Sequence, residues 1–298
     1  MDVAITGSSG LIGSALVTAL EAGGHTVRRV VRSGTSGPGR VRWSPTEGRI
    51  DTDALAGVDA VVNLAGEGIS EKRWTDEQKR RIRESRTQGT RLLAEALAVL
   101  EPRPSVLLSG SGIHYYGCRG DEELTEDDDH GEGFLTEVVV DWEAATAPAT
   151  DAGIRTVALR SGIVLAAEGG ALAKQLPLFK LGLGGRLGDG KQWWPWIAID
   201  DEVGAIVHLL TSEVSGPVNL TAPGVVTNAD FTRTLGRVLG RPTVLPTPSL
   251  GPRLVLGKEL ADSLLHCSIR AVPRALLDNG YRFTQPELEG SLRHLLDR

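Results

Sequence analysis

Cysteine is nearly absent from this chain of 298 residues: Cys118 and Cys267 are the whole supply. So few, so far apart and without further ligands at metal spacing, they exclude a disulfide-stapled scaffold and a cysteine-built metal site. They are expected as free structural thiols in a reducing compartment, although either could be reactive. Basic charge is also in deficit, 32 Lys and Arg against 38 Asp and Glu, which argues against nucleic acid as the main partner. No long apolar run occurs, and no basic stretch leads into one near Met1. No signal peptide, membrane span or metal is therefore expected, and a cytoplasmic location is. The length leaves room for an ample core and for one large or two coupled domains.

The most informative stretch is Thr6-Gly7-Ser8-Ser9-Gly10-Leu11-Ile12-Gly13. It follows the apolar run Val3-Ala4-Ile5 and opens an amphipathic stretch, Leu11 to Leu20, so it reads as strand, glycine turn and helix start. That is the context a dinucleotide fingerprint requires. Gly7 makes the tight turn, Gly10 lets backbone approach a pyrophosphate, and Gly13 lets helix and strand pack closely. The helix start, with Ser9, Leu11 and Ile12, offers free N–H groups and a positive dipole end to phosphates.

Further strands are expected at His25 to Val31, Val41 to Trp43, Asp59 to Leu64, Ser105 to Leu108 and Arg155 to Leu159. Helices are expected at Trp74 to Leu100 and Asp141 to Ala152. Alternation of this kind predicts an α/β fold, a doubly wound parallel Rossmann sheet with helices on both faces. The second half is less regular. Gly169 to Gly190 is glycine-rich and loop-like, Trp196 to Asp201 reads as a returning strand, and Pro217 to Thr221 as another short strand. Asn228 to Leu239 reads as a helix capped by Thr227 or Asn228. Pro242, Pro246, Pro248 and Pro252 break the chain into turns, and a tail from Leu288 to Leu296 ends it. Residues 1–163 with 196–222 are expected as the dinucleotide-binding domain. Residues 164–195 with 223–298 are expected as a smaller C-terminal lid over the carboxyl edge of the sheet, where open α/β sheets bind ligands.

The second strand ends Val30-Val31-Arg32-Ser33. Arg32 stands where an acidic residue would bind the ribose of NAD, and no Asp or Glu occurs from 26 to 39. Arg32, with Ser33 as a second donor, therefore selects NADP over NAD through the 2′-phosphate. Arg86 falls on the apolar stripe of the long helix, between Ile82 and Gly89. An inward guanidinium needs an anion or carbonyl groups, either a cofactor phosphate or ribose or a partner within the fold. The acidic stretch Asp121 to Glu132 lacks calcium-loop spacing and reads as a solvated loop. Trp196 reads as core; Trp193 and Trp194 fit a pocket or a lid anchor equally well.

The glycine motif, Asn63-Leu64-Ala65-Gly66, Ser109-Gly110-Ser111 with Tyr116-Gly117, and Trp196-Ile197-Ala198-Ile199-Asp200-Asp201 together resemble a short-chain dehydrogenase/reductase of the extended type, over nearly the whole chain. More narrowly, Arg73-Trp74, Ser85-Arg86, Tyr115-Tyr116-Gly117, Asp141-Trp142-Glu143, Leu181-Gly182-Leu183-Gly184-Gly185, Trp194-Pro195-Trp196-Ile197 and the tail from Pro273-Arg274 to Gly280-Tyr281 resemble an atypical group known as epimerase family proteins. That group carries a C-terminal domain of unknown function. The resemblance implies NADP binding, with Leu64, Ala65, Gly66 and Ser109 at the cofactor, and leaves substrate and reaction open.

An active enzyme of the parent superfamily uses a Tyr-x-x-x-Lys pair, in which one helical turn brings the lysine to the tyrosine and the nicotinamide ribose. Here Arg119, Gly120 and Gln285 lie four residues after the three tyrosines, so the pair is missing. On the expected helix Phe134 to Ala145, an alignment on Glu143 puts Leu135 and Val139 in its place. Loss of a positioned acid/base forfeits about 10²–10⁴ in rate. Ser111 as donor to a substrate carbonyl and Tyr115 or Tyr116 as acid are the candidate replacements. Arg119 is a candidate neighbour for Tyr115, and His114 a candidate proton shuttle near neutral pH. Two functions remain open: an NADP-dependent oxidoreductase or epimerase acting on an unknown small carbonyl or sugar-like substrate, and a non-catalytic NADP-binding protein that presents a surface to a partner.

Overall fold

The computed structural model describes residues 1–298 apart from Ser33, Leu245, Pro248 and Ser249 and the side chains of Leu250 and Gly251. The expected contribution of Ser33 and the turn at Pro248 thus lie outside the described residues. Strands are β1 (Asp2–Thr6), β2 (Thr26–Val31), β3 (Arg40–Ser44), β4 (Arg49–Ile50), β5 (Ala60–Asn63), β6 (Val106–Gly110), β7 (Glu123–Leu124), β8 (Arg155–Ser161), β9 (Ile163–Leu165), β10 (Trp193–Trp194), β11 (Trp196–Ala198), β12 (Gly216–Leu220), β13 (Val226–Thr227) and β14 (Arg270–Ala271). Helices are α1 (Leu11–Ala22), α2 (Asp76–Ala98), α3 (Phe134–Ala144), α4 (Ala147–Asp151), α5 (Gly170–Lys180), α6 (Ile199–Thr211), α7 (Asn228–Leu239), α8 (Leu250–Leu256), α9 (Lys258–Ala261), α10 (Arg274–Asp278) and α11 (Leu288–Leu295).

Eight strands form one sheet in the order β12-β8-β6-β5-β1-β2-β3-β4. Every neighbouring pair is parallel except the edge hairpin β3–β4. The chain is doubly wound. Side chains of α1 and α6 cover one face of the sheet, and those of α2 and α4 cover the other. This is why the central strands read as unbroken apolar runs rather than alternating ones: both faces are buried. In α2 the cap is Thr75, whose side chain accepts from the N–H of Gln78 at 3.1 Å, and Asp76 and Glu77 complement the dipole. Its stripe of Leu93, Ala94, Leu97 and Leu100 is buried on the sheet, each leucine contributing about 1.5–3 kcal/mol.

The second half departs from expectation in three places. The returning strand is only β11, paired with β9 outside the main sheet. Ile199–Asp201 instead open α6, where Asp200, Asp201 and Glu202 meet the positive end of the helix. The glycine-rich stretch contains α5, whose Leu172, Leu176 and Phe179 join Trp194, Trp196, Phe231 and Leu235 in a separate core. That places Trp194 with Trp196 in the interior, while Trp193 is half-buried and donates its indole N–H to Asp121 at 2.9 Å. The helix expected from Asp141 to Ala152 is two helices, α3 starting earlier and α4 after a break. Thr227 rather than Asn228 caps α7, accepting from the N–H of Asp230.

The cysteines require a correction. Cys118 and Cys267 are joined in a disulfide that bridges 149 residues of chain. Distance along the chain was a poor guide, because β7 pairs with β14 and folds the two segments together. A small core of Ile113, Tyr116, Leu124, Cys267, Ile269 and Ala271 fills this seam.

The segment that leads into the C-terminal helix is fastened by one carboxylate. Asp201, fully buried, accepts from the N–H groups of Thr284 and Gln285 at 2.8 Å each and from the hydroxyls of Thr284 at 3.0 Å and Tyr281 at 3.2 Å. Beside it Glu202 accepts from Ser161 at 2.6 Å, and its other oxygen has no partner among the described residues. Burial pushes this carboxyl up to about 8, against the opposing Ser161 hydrogen bond.

Candidate cofactor and reaction site

The turn Thr6–Gly13 lies at the carboxyl end of β1, at the head of α1. Gly7 has φ +68°, and a Cβ there would lie 2.7 Å from the carbonyl carbon of Leu64. A Cβ on Gly13 would lie 2.2 Å from the carbonyl oxygen of Gly7. Backbone therefore occupies the space that side chains would need, and turn, helix and β5 close on one another. The cap residue of α1, Gly10, supplies no side chain to the helix start, and no acid sits in the first turn. The N–H groups of Leu11, Ile12 and Gly13 have no intrahelical acceptor. Ser9 is exposed beside them. Such a cradle fits a diphosphate.

A chain of buried hydrogen bonds shapes the neighbouring turn. The hydroxyl of Thr6 donates to Asn63 Oδ1 at 2.7 Å and accepts from the N–H groups of Leu64 and Ala65. Asn63 Nδ2 donates to Thr90 and Ser109, and Trp142 donates to Thr90. Ser109, expected at the cofactor, is thus an internal post, buried and facing Asn63. Leu64, Ala65 and Gly66 remain at the cleft, half-buried or exposed. Arg86 lies beneath them: Nη1 donates to the carbonyls of Glu67 at 2.9 Å and Ile82 at 3.1 Å. A Cβ on Gly66 would lie 3.1 Å from its guanidinium carbon. Burial lowers Arg86 to about 10, partly offset by the charge of Glu67. Carbonyl groups of the fold therefore meet part of its need for acceptors. Arg32 is exposed at the end of β2, and no ion pair or hydrogen bond of its side chain occurs among the described residues. By contrast, Arg28 and Arg29 of the same strand pair with Asp2 and Glu21.

The reaction side is built differently. Ser111 follows β6, and its N–H donates to the carbonyl of Leu159. Its hydroxyl donates to Glu143 Oε1 at 2.5 Å. Glu143, on α3, is clamped by Arg160 of β8, Nε and Nη2 reaching its two oxygens at 2.9 and 3.0 Å. Arg160 is 2% exposed. Burial opposes its charge, but Glu143, followed by Tyr116, outweighs burial and raises its pKa above the ordinary guanidinium value.

The two tyrosines meet this pair differently. Tyr116 is fully buried, accepts from Arg160 Nη1 at 3.0 Å and donates to Asn219 at 2.7 Å. Burial pushes it up to about 12, against Arg160. Its hydroxyl therefore serves an internal network rather than an open cleft. Tyr115 is half-buried, with the guanidinium of Arg160 3.4 Å from its ring centre. The cation expected beside it, Arg119, instead pairs with Glu122 at 2.7 Å. His114 is held down to about 4 by burial, against a Ser263 backbone hydrogen bond, so it is neutral at physiological pH and not the shuttle expected. Leu135 and Val139 are buried on α3, so apolar packing occupies the positions aligned with the missing pair. The acidic stretch is not wholly solvated either: Glu126 turns inward and accepts from the N–H groups of Asn219 and Ala275.

Glu143, Arg160 and Asn219 were not singled out as site residues from sequence. Arg160 had a readable signal, a charge directly after the apolar run Val157-Ala158-Leu159, which must find a partner. Glu143 and Asn219 come from other elements, and only the fold brings them together.

Comparison with known proteins agrees with this geometry. The model of the NAD dependent epimerase/dehydratase family matches residues 3–221, and a domain of unknown function matches residues 247–295. An epimerase family protein of Mycobacterium bovis is 46% identical over 282 residues, 94% of this chain and 93% of its own. The human epimerase family protein SDR39U1 is 38% identical over 300 residues, 99% of this chain and 100% of its own. A crystal structure of human SDR39U1 (isoform 2) with NADPH superposes with a TM-score of 0.90, at 37% identity and full coverage of both chains. Enzyme structures that hold NAD and nucleotide sugars share the fold at about 20% identity, among them MoeE5 with UDP-glucuronic acid and NAD, at a TM-score of 0.75. The sheet order, the glycine cradle and the family match across most of the sequence lead to one assignment: this chain belongs to the NAD dependent epimerase/dehydratase family, in its SDR39U1-like branch.

Proposed function

We propose that this protein binds NADP and acts as an oxidoreductase or epimerase on a small carbonyl or sugar-like substrate. The observation that carries the reading is the open head of α1, packed against the carboxyl ends of β1 and β5, with Arg32 exposed at the end of β2. The N–H groups of Leu11, Ile12 and Gly13 would hold the diphosphate, with Ser9 beside them. Arg32 would meet the 2′-phosphate, and Leu64–Gly66 would line the groove. Bound there, the nicotinamide supplies a hydride donor or acceptor. The NADPH in human SDR39U1 supports the choice of NADP.

The chain's own groups handle the proton. Because Ser111 gives its proton to Glu143, its oxygen presents lone pairs and is suited to receive a substrate hydroxyl. In that respect it differs from a simple carbonyl donor. Tyr115 is the candidate acid, since it is the tyrosine of this turn that is not fully buried. Arg160 positions both groups, through Glu143 and by stacking. Wild-type protein is expected to oxidise NADPH in the presence of some member of a panel of carbonyl compounds and nucleotide sugars, and Ser111→Ala with Tyr115→Phe is expected to abolish this. Absence of turnover across the panel, with NADPH binding intact, would favour the non-catalytic reading. The apolar pair Leu135 and Val139 keeps that reading in play.

A further inference from the structure

We propose that Cys118 and Cys267 form a reversible thiol–disulfide site through which a dithiol reductant sets how firmly the segment 258–266 is held against the reaction site. The inference stands apart from the assignment of cofactor and substrate.

The two sulfurs sit at the ends of the relevant pieces. Cys118 follows the turn Ile113–Tyr116 and its closing Gly117. Cys267 follows the turn Asp262–His266 and packs with Ile113 and Tyr116 in the small core of the seam. The seam beyond Cys267 has ties of its own: Arg119 N–H to Ser268 O at 3.1 Å, Ser268 hydroxyl to Gly120 O at 2.8 Å, and the β7–β14 pairing. It survives reduction. The segment before Cys267 has non-covalent ties as well. Lys79 pairs with Glu259 at the surface, Arg253 pairs with Asp262 at 2.7 Å, the buried Gln192 donates to the carbonyl of Leu265 at 3.0 Å, and Leu260 and Ala261 are buried. Exposed ion pairs contribute little, and the disulfide is the covalent restraint at the end of this segment.

Access is asymmetric. Cys118 is exposed and Cys267 is 9% exposed. A dithiol's thiolate therefore attacks Cys118 Sγ. The Cys118–Cys267 bond breaks, Cys267 leaves as a thiolate and takes a proton, and a mixed disulfide forms on Cys118. The second thiol of the reductant then displaces Cys118 as a thiol, and the reductant departs as its own disulfide.

Amide hydrogen exchange of the folded protein, poised with oxidised or reduced dithiothreitol, tests this, with thiols counted by mass spectrometry. Reduction without denaturant should speed exchange in 258–266 by about tenfold, leave β1 and β6 unchanged, and reverse on reoxidation. The variant Cys118→Ser should match the reduced protein under both poises. Any of three results would overturn the inference: reduction only in denaturant, thiols that never pair, or a reduced protein and variant whose exchange in 258–266 equals that of the oxidised form.

Discussion

The proposed cofactor cradle and the proposed reaction site lie at the same edge of one sheet but are made of different material. The cradle is backbone: glycines in tight contact, unpaired N–H groups and an uncapped helix start. The reaction site is side chain: a buried guanidinium from β8, a carboxylate from α3, a hydroxyl after β6 and an amide from β12. A backbone device is encoded in a few contiguous residues and tolerates little change. A side-chain device can be rebuilt from distant positions, and here Leu135 and Val139 stand where an alignment puts the superfamily's tyrosine and lysine.

The largest effect that would break the contrast comes from Arg160→Ala. It leaves the half-buried Glu143 without its cation and strips Tyr116 of a donor, so urea denaturation should show a loss of about 3–5 kcal/mol. A loss below about 1 kcal/mol would mean that the network is ornamental. Next is Gly13→Ala, which forces a methyl group onto the Gly7 carbonyl. Overpacking of about 1–3 kcal/mol should fall on the cradle, weakening NADPH at least tenfold in fluorescence titration. Arg32→Asp sharpens the comparison within the cradle. NADPH affinity should drop by about ten- to hundredfold while NADH is little changed, because only one carries the 2′-phosphate. Equal losses by calorimetry would reject the phosphate role.

The remaining effect concerns Glu202 and is confined to neutral and alkaline pH. Its folded value, about 8, lies above that of an unfolded glutamate, so the folded state keeps a proton that the unfolded chain releases. Its contribution is full below about pH 4.3 and is lost as pH rises through about 8. Glu202→Gln removes that loss. The variant should match wild type in acid and exceed it by a margin that grows toward pH 8, read from melting temperatures across pH. A constant difference at all pH values would place the effect elsewhere.

Legibility follows the same division. The glycine turn, the alternation of strands and helices and the inward Arg86 were readable because each is local, set by spacing or periodicity. The disulfide, the inward Glu126 and the partners of Ser111 were not, because each depends on segments brought together by sheet order. Ser109 and Tyr116 show the complementary error. Both belong to motifs at the site, yet each hydroxyl turns inward, and a motif records proximity without recording direction. The returning strand failed because Ile199–Asp201 has apolar and acidic residues that suit a helix start equally well.

The fastening of the tail at Asp201 has a consequence for how the chain tolerates trimming. Four donors from residues 281–285 converge on that carboxylate. A protease cut ahead of Tyr281 would remove every one of them and strand a negative charge inside the protein. The last eighteen residues, from Tyr281 to Arg298, are accordingly a keystone of the helix layer that contains α6, and a shortened form should be lost to degradation rather than persist as a working core.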